Sequence, residues 1–496
     1  MGSSQALRDA RRYEEILEKV IGPLQRPLFH LTPRAGWMND PNGFCRFGGR
    51  YHLFYQYYPY ASHWDSMHWG HAVSTDLLHW EYLPAALAPD EWYDQNGCFS
   101  GSALETEDGR LMLMYTGVRL ETLPNGKKKE VQTQCIAVGD GIDFEKYAGN
   151  PVLTEEELPA GGSRFDFRDP KMWRGADGLI YSAIGNRPAD GSGQILLYKS
   201  ADGLSWQYDR VLAANNNRYG KMWECPDFFE LDGKQILLVS PQDMLPEGFE
   251  YHNGNGTLCV IGQYDEETRT FTEEANQAVD YGIDFYAPQT VLAEDGRRIM
   301  IGWMQNWDAC AIREPEEPWS GQMSMPRELY LKDGRLYQRP VREIEDMRCD
   351  PVAVCDEVIS GRVDLPGISG RCVDLTVRIR PKEGSSLYHK VAVRFAENET
   401  FRTSVSYRPH EATLKIDRKF SGSRRAIIHQ RRALVEESRD GEITLRIILD
   451  RFSAEIFVND GRQVLSAVVN TDPAADGISF YADGEAVIDV VKYTLR

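Results

Sequence analysis

Nowhere in the 496 residues do apolar side chains run together for the length of about 18 that a bilayer-crossing helix needs, so no transmembrane helix is expected. Positive charge is scarce: 56 Lys and Arg stand against 75 Asp and Glu, leaving a net charge of −19. A field of that sign repels phosphate backbones and anionic headgroups, so neither nucleic acid nor a membrane is expected as a partner. A phosphorylated small molecule stays open, because a few local Arg or Lys side chains suffice to hold one. The nine cysteines are scattered, odd in number and never spaced as Cys-x-x-Cys. That excludes a disulfide framework and argues for free thiols in a reducing cytosol. Residues 1–27 lack the apolar segment of a secretory leader, which agrees with a cytoplasmic location. Within them Tyr13, Ile16, Leu17, Val20 and Ile21 fall at helical spacing and predict a short amphipathic helix packed through that face.

What the chain does have is a repeat with a period of about sixty residues. Gly49, Gly109, Gly178, Gly233 and Gly296 each introduce a short segment of β-forming residues, most after an Asp-Gly turn signal. A second series at the same period is marked by Trp80, Phe144, Trp206, Phe271 and Tyr337. Five such units predict an all-β chain with a five-bladed β-propeller. Beyond a charged connector the pattern changes to short alternating strands without the period, among them CVDLTVRIR, ITLRIIL and AEIFV, which read as a C-terminal β-sandwich. The expected organisation is a helical extension over 1–26, the propeller over 27–340, a connector over 341–352 and the sandwich over 353–496.

Nine residues before each repeat glycine stand Asp40, Ser100, Asp169, Glu224 and Ala287. Three of the five are carboxylates. Equivalent positions on propeller blades are related by rotation about one axis, so this register predicts that Asp40, Asp169 and Glu224 share a central pocket, with the small Ser100 and Ala287 leaving room for a ligand. A proline follows each carboxylate within two residues, which suits an innermost strand facing a channel. Carboxyls gathered this way suit glycoside cleavage: one ionised to attack, another protonated to release the leaving oxygen, their pKa values driven apart by burial and mutual repulsion. His52, His63, His68, His71 and His79 crowd one stretch without Cys or carboxylates at ligand spacing, so no metal is expected. Cys225 has no His base placed beside it and is expected to line the pocket or pack rather than to attack.

The motifs WMNDPNG, FRDP and WECP, with FYQYYP, HWGHAVSTDLLHW, GCFSGSA, DFYAPQ and DRFSAEIFVNDG, resemble those of glycoside hydrolase family 32, the invertase and fructanase family. The resemblance extends from about residue 27 to the end. It implies a five-bladed propeller followed by a sandwich, no cofactor, and a retaining β-fructofuranosidase. By that likeness Asp40 is the nucleophile, Glu224 the acid/base and Asp169 a transition-state stabiliser supported by Arg168. Asn39, Gln56, Trp64, Phe99 and Ser100 would line the fructosyl subsite. The look is that of the family's bacterial intracellular branch acting on sucrose 6-phosphate. Sucrose, sucrose 6-phosphate and short fructo-oligosaccharides all stay open as sugar substrates, and the sequence sets no oligomeric state. Arg34, Arg164, Lys171 and Arg313 are candidates for holding a phosphate. A fructosyltransferase, an arabinan-cleaving propeller and a catalytically dead sugar-binding propeller are the rival readings. Retention requires the two working carboxyls about 5–5.5 Å apart rather than about 6.5–9.5 Å, and the shorter spacing is expected of Asp40 and Glu224.

Overall fold

At all five repeat positions the glycine adopts a positive φ, from +75° at Gly109 to +84° at Gly296. A left-handed residue lets a strand reverse tightly, and glycine adopts it without Cβ strain. Each of these turns joins the first and second strands of a four-stranded antiparallel blade in the computed structural model, which describes residues 4–310, 318–422 and 428–496. The blades cover 36–87, 97–146, 167–214, 223–278 and 286–340. Their first strands, Gly36–Phe47, Gly97–Glu105, Phe167–Arg174, Trp223–Leu231 and Tyr286–Leu292, neighbour one another around the axis. The aromatic series marks the outermost strands: Trp80 and Phe144 begin theirs, Phe271 and Tyr337 lie in theirs, and Trp206 immediately precedes Gln207–Ala214.

Blade contacts are apolar. Met112, Met114 and Ile136 of the second blade pack on Met172, Ile184 and Leu196 of the third. The ring closes where Trp319–Ser320 runs parallel to the start of the first inner strand, pairing Gly36 with Trp319 and Trp37 with Ser320. The approach there is so close that a Cβ on Gly321 would lie 2.0 Å from the carbonyl oxygen of Met38.

The C-terminal strands form two leaves joined by shared strands. The last strand, Gly477–Leu495, pairs through its first part with Lys390–Glu397 and through its second with Val373–Pro381, while Arg348–Val363 follows it along most of its length. The leaves enclose a core that includes Val377, Phe395, Ile447 and Phe480. Against the propeller, His30 lies buried between Asp450 (2.8 Å) and Glu455 (2.9 Å), and the fully buried Arg327 reaches Glu455 and Asp280. Burial alone would lower the pKa of His30. Hydrogen bonds and charge from the two carboxylates outweigh that and raise it to about 9.

The N-terminal helix, Gln5–Glu18, forms as expected, but its packing face differs. It buries Leu7, Ala10 and Glu14, whereas of the expected face Tyr13, Ile16 and Val20 are exposed, Leu17 is half-buried and only Ile21, just beyond the helix, is buried. The physical reason is polar: Glu14 accepts the backbone N–H of Ala85 (3.0 Å) and pairs with Arg34, tertiary partners that helical spacing does not reveal. No described helix is long and apolar enough to cross a membrane.

Candidate active site

A proline in a strand removes a ladder donor, and four inner strands answer with a bulge. Strand register slips around Asp40-Pro41, Asp169-Pro170, Cys225-Pro226 and Ala287-Pro288, and also at Ser100. In three of these bulges the residue before the proline is left-handed, with φ of +67° at Asp169, +47° at Cys225 and +50° at Ala287. These bulges correct the register read from the sequence. Cys225, not Glu224, matches Asp169 and Ala287, and Glu224 matches Arg168 and Tyr286. The count slips in the fourth blade, where the turn is short and Leu231 pairs with Lys234; the first blade has an equally short turn, Phe47 pairing with Arg50, but a second register shift between Asn42 and Cys45 restores its count.

The three carboxylates nevertheless meet. Asp40, Asp169 and Glu224 line one cavity of about 380 Å³, together with Asn39, Gln56, Trp64, Phe99, Ser100 and Arg168. Glu130, Gln132, Phe165, Asp166, Gln242 and Trp307 complete the wall and were not foreseen. Trp64, 40% exposed, stands edge-on to Phe99 at the mouth. Asn39 is fixed by the indole N–H of Trp37 (2.7 Å), and Gln56 donates to the carbonyl of Cys98 (3.0 Å). Ala287 lies fully buried among Trp37, Met67, Cys225, Tyr286 and Trp303, beneath the cavity floor rather than on it. A large residue there would collide with packed rings, so it is not the space-saving position that the register suggested.

Asp40 Oδ2 accepts from the Ser100 hydroxyl (3.1 Å) and the Cys225 thiol (3.4 Å), while Asp40 Oδ1 is buried without a hydrogen-bond partner. Asp169 Oδ2 accepts the backbone N–H of Cys225 (2.9 Å), and the thiol lies 3.6 Å from the same oxygen. Glu224 Oε1 receives Nε (3.1 Å) and Nη2 (2.9 Å) of Arg168, and its Oε2 lies 2.6 Å from the Tyr286 hydroxyl. Arg168 is therefore hydrogen-bonded to Glu224 and also stands 4.0 Å from Asp169, within ion-pair range, so the support expected for Asp169 is by charge and a second carboxylate shares the guanidinium. The sequence presents Tyr286 only within the DFYAPQ segment; the signal for its place is that it immediately precedes a proline-containing bulge.

Burial raises the pKa of Asp40 to about 7, with the charges of Glu224 and Asp169 adding to it. Burial also raises that of Asp169, against the Arg168 charge and with the help of Glu224. One guanidinium beside these carboxyls cannot neutralise them all, so Asp40 and Asp169 hold their protons more tightly than isolated carboxyls do. Burial, followed by the charges of Asp169 and Asp40, holds the Cys225 thiol well above its usual range, so it acts here as a donor rather than a nucleophile.

Three of the four candidate phosphate cations are paired with carboxylates. Arg34 pairs with Glu14 and Glu18, Lys171 pairs with the buried Asp227, and Arg313 lies outside the described residues. Arg164 pairs with Glu121 and Glu155 and lines a neighbouring cavity of about 590 Å³ that shares Phe165 and Asp166 with the first.

Family models match most of the chain: "Glycosyl hydrolases family 32 N-terminal domain" over residues 30–340 and "Glycosyl hydrolases family 32 C terminal" over 349–495. A raffinose invertase of Escherichia coli is 40% identical, the alignment covering 96% of each chain. A sucrose-6-phosphate hydrolase of the same organism is 38% identical over 93% of each. Among solved structures, a Bombyx mori GH32 beta-fructofuranosidase superposes with a TM-score of 0.83 at 33% identity, covering 100% of this chain and 99% of that one.

Proposed function

This chain belongs to glycosyl hydrolases family 32, and from that membership we propose that it hydrolyses the β-fructofuranosyl bond of sucrose or sucrose 6-phosphate, releasing fructose with net retention. It is a β-fructofuranosidase by kinship with the hydrolases above. The observation that carries the reading is the meeting of Asp40, Asp169 and Glu224 around one cavity, each held by different donors.

Asp40 attacks the anomeric carbon of the fructosyl unit through its carboxylate. Glu224 gives its proton to the glycosidic oxygen, and the bond to the leaving sugar breaks as the bond to Asp40 forms. In the second half-reaction the ionised Glu224 takes a proton from water, whose oxygen displaces Asp40. Asp169, kept in place by the Cys225 N–H, accepts hydrogen bonds from fructosyl hydroxyls as positive charge grows on the ring. Ser100 and Cys225 donate to Oδ2 of Asp40 and steady the carboxylate for attack. A cytoplasmic location is part of the same reading, supported by cysteines that form no disulfide among the described residues.

The test compares kcat/KM for sucrose, sucrose 6-phosphate and a short inulin oligomer, with the anomer of the released fructose followed by NMR before it equilibrates. Retention and a preference for either disaccharide are expected. Inversion at the anomeric carbon, or arabinan as the sole substrate, overturns the reading.

A further inference from the structure

The hydroxyl of Tyr286 lies 2.6 Å from Glu224 Oε2 and 2.9 Å from the backbone carbonyl of Ser240. The side chain is fully buried at the start of its inner strand, and the next residue is tied to the same neighbour, Ala287 N–H donating to Ser240 Oγ (3.0 Å). A phenol owns one proton, and it faces two oxygens. The carbonyl can only accept. The carboxyl accepts when ionised and donates when protonated. Both contacts are therefore hydrogen bonds at the same time only if Glu224 carries a proton, giving it to Tyr286 while Tyr286 gives its own to Ser240. When Glu224 is ionised, the phenolic proton turns to Oε2 instead and makes one charge-assisted bond, roughly twice as strong as a neutral one.

We propose that Tyr286 is a positioning residue that holds the Glu224 carboxyl in one place in both of its protonation states by rotating a single O–H between Glu224 and the Ser240 carbonyl. Two neutral bonds in one state balance one charge-assisted bond in the other, so the device favours neither state strongly. Arg168 holds the opposite oxygen through Nε and Nη2. Burial, followed by the charge of Glu224, holds the phenol well above its usual pKa, so Tyr286 keeps the proton that it redirects. An acid that must become a base within one turnover needs this. A fixed donor would serve only the ionised carboxylate, and a fixed acceptor only the acid.

The inference rests on Glu224 as acid/base, and the experiment separates the two. Sucrose and a fructoside with an activated, low-pKa leaving group are compared for wild type, Glu224→Ala and Tyr286→Phe. The activated substrate needs no proton to leave, so its kcat/KM reports attack alone and its kcat reports the base-assisted hydrolysis step. In Tyr286→Phe, kcat/KM for sucrose and kcat for the activated fructoside both fall about tenfold or more, while kcat/KM for the activated fructoside holds. An equal loss in all three shows a merely structural role and overturns the proposal, as does no loss at all. If Glu224→Ala itself shows no dependence on the leaving group, the assignment of Glu224 fails first.

A second variant guards against misfolding. Incorporating 3-fluorotyrosine at position 286 keeps the shape but makes the phenol a stronger donor and a weaker acceptor, favouring ionised Glu224. The alkaline limb of kcat/KM for sucrose then moves to lower pH. A limb that stays in place or moves up contradicts the two-way bond.

Discussion

Arg168 stands 2.9 Å from Glu224 Oε1 and 4.0 Å from Asp169 Oδ2, so its charge serves a residue 56 positions away more than its neighbour in sequence. Its planar fork reaches Oε1 with both Nε and Nη2, a geometry that a lysine ammonium cannot copy. Arg168→Lys is expected to fold and to lose about a hundredfold or more in kcat/KM. In Arg168→Gln the loss of positive charge beside Glu224 should also move the alkaline limb upward. Wild-type activity in Arg168→Lys would count against a shaped role for the guanidinium.

Replacing the attacking oxygen tests the nucleophile. Asp40→Asn should leave the fold intact and lower kcat at least about a thousandfold, roughly 4 kcal/mol of barrier. Turnover near wild type, with contaminating enzyme excluded, would sink the assignment.

Asp40 also predicts a pH dependence with a definite sign. Its pKa in the free enzyme is about 7, and only the ionised form attacks. The acid limb of kcat/KM should therefore fall as pH drops through about 7, reported as a property of the carboxyl cluster rather than of Asp40 alone. A limb that begins only near the usual carboxylate range would contradict it.

The same raised pKa carries a stability cost. A carboxyl that holds its proton more tightly when folded favours folding at low pH, and that advantage is lost as pH rises through its folded pKa. Asp40→Asn should thus raise Tm, and more at pH 8 than at pH 5. An increase of equal size at both would mean that the charge of Asp40 is not the source of strain.

At the junction of propeller and sandwich the sign of the pH effect comes from a histidine. His30, with its pKa raised to about 9 by Asp450 and Glu455 against the effect of burial, stabilises the protein fully below its unfolded value of about 6.5. That contribution disappears as pH rises through about 9. Removing one partner of a buried pair costs about 3–5 kcal/mol, so His30→Ala should lower Tm sharply at pH 6 and much less at pH 10. Denaturation curves of equal displacement at both pH values would rule the ionic role out.

The repeat glycines, the aromatic series and the three carboxylates were legible because each depends on local chemistry. A left-handed turn selects glycine, and a proline after a carboxylate marks a strand that cannot continue its ladder. From these the five blades and the gathering of Asp40, Asp169 and Glu224 followed, whereas Ala287 proved to lie off the cavity; Asn39, Gln56, Trp64, Phe99, Ser100 and Arg168 were assigned by likeness to the family's motifs, and they line the same cavity. The packing of the N-terminal helix, the partner of Arg168 and the roles of Cys225 and Tyr286 were not legible. Each depends on atoms brought together from distant segments. Glu14 is buried because the backbone of Ala85 needs an acceptor. Glu224 and Cys225 exchange places in the register because the fourth blade combines a short turn with a single register shift, whereas the first blade, with an equally short turn, has two, and a one-residue slip in a strand reverses which way a side chain points. Periodicity in the sequence determined the blades and the approximate ring of acids. Only the bulges and long-range pairing of the folded chain decided which oxygen faces which donor, because hydrogen bonds depend on distances of a few tenths of an ångström that no spacing of letters encodes.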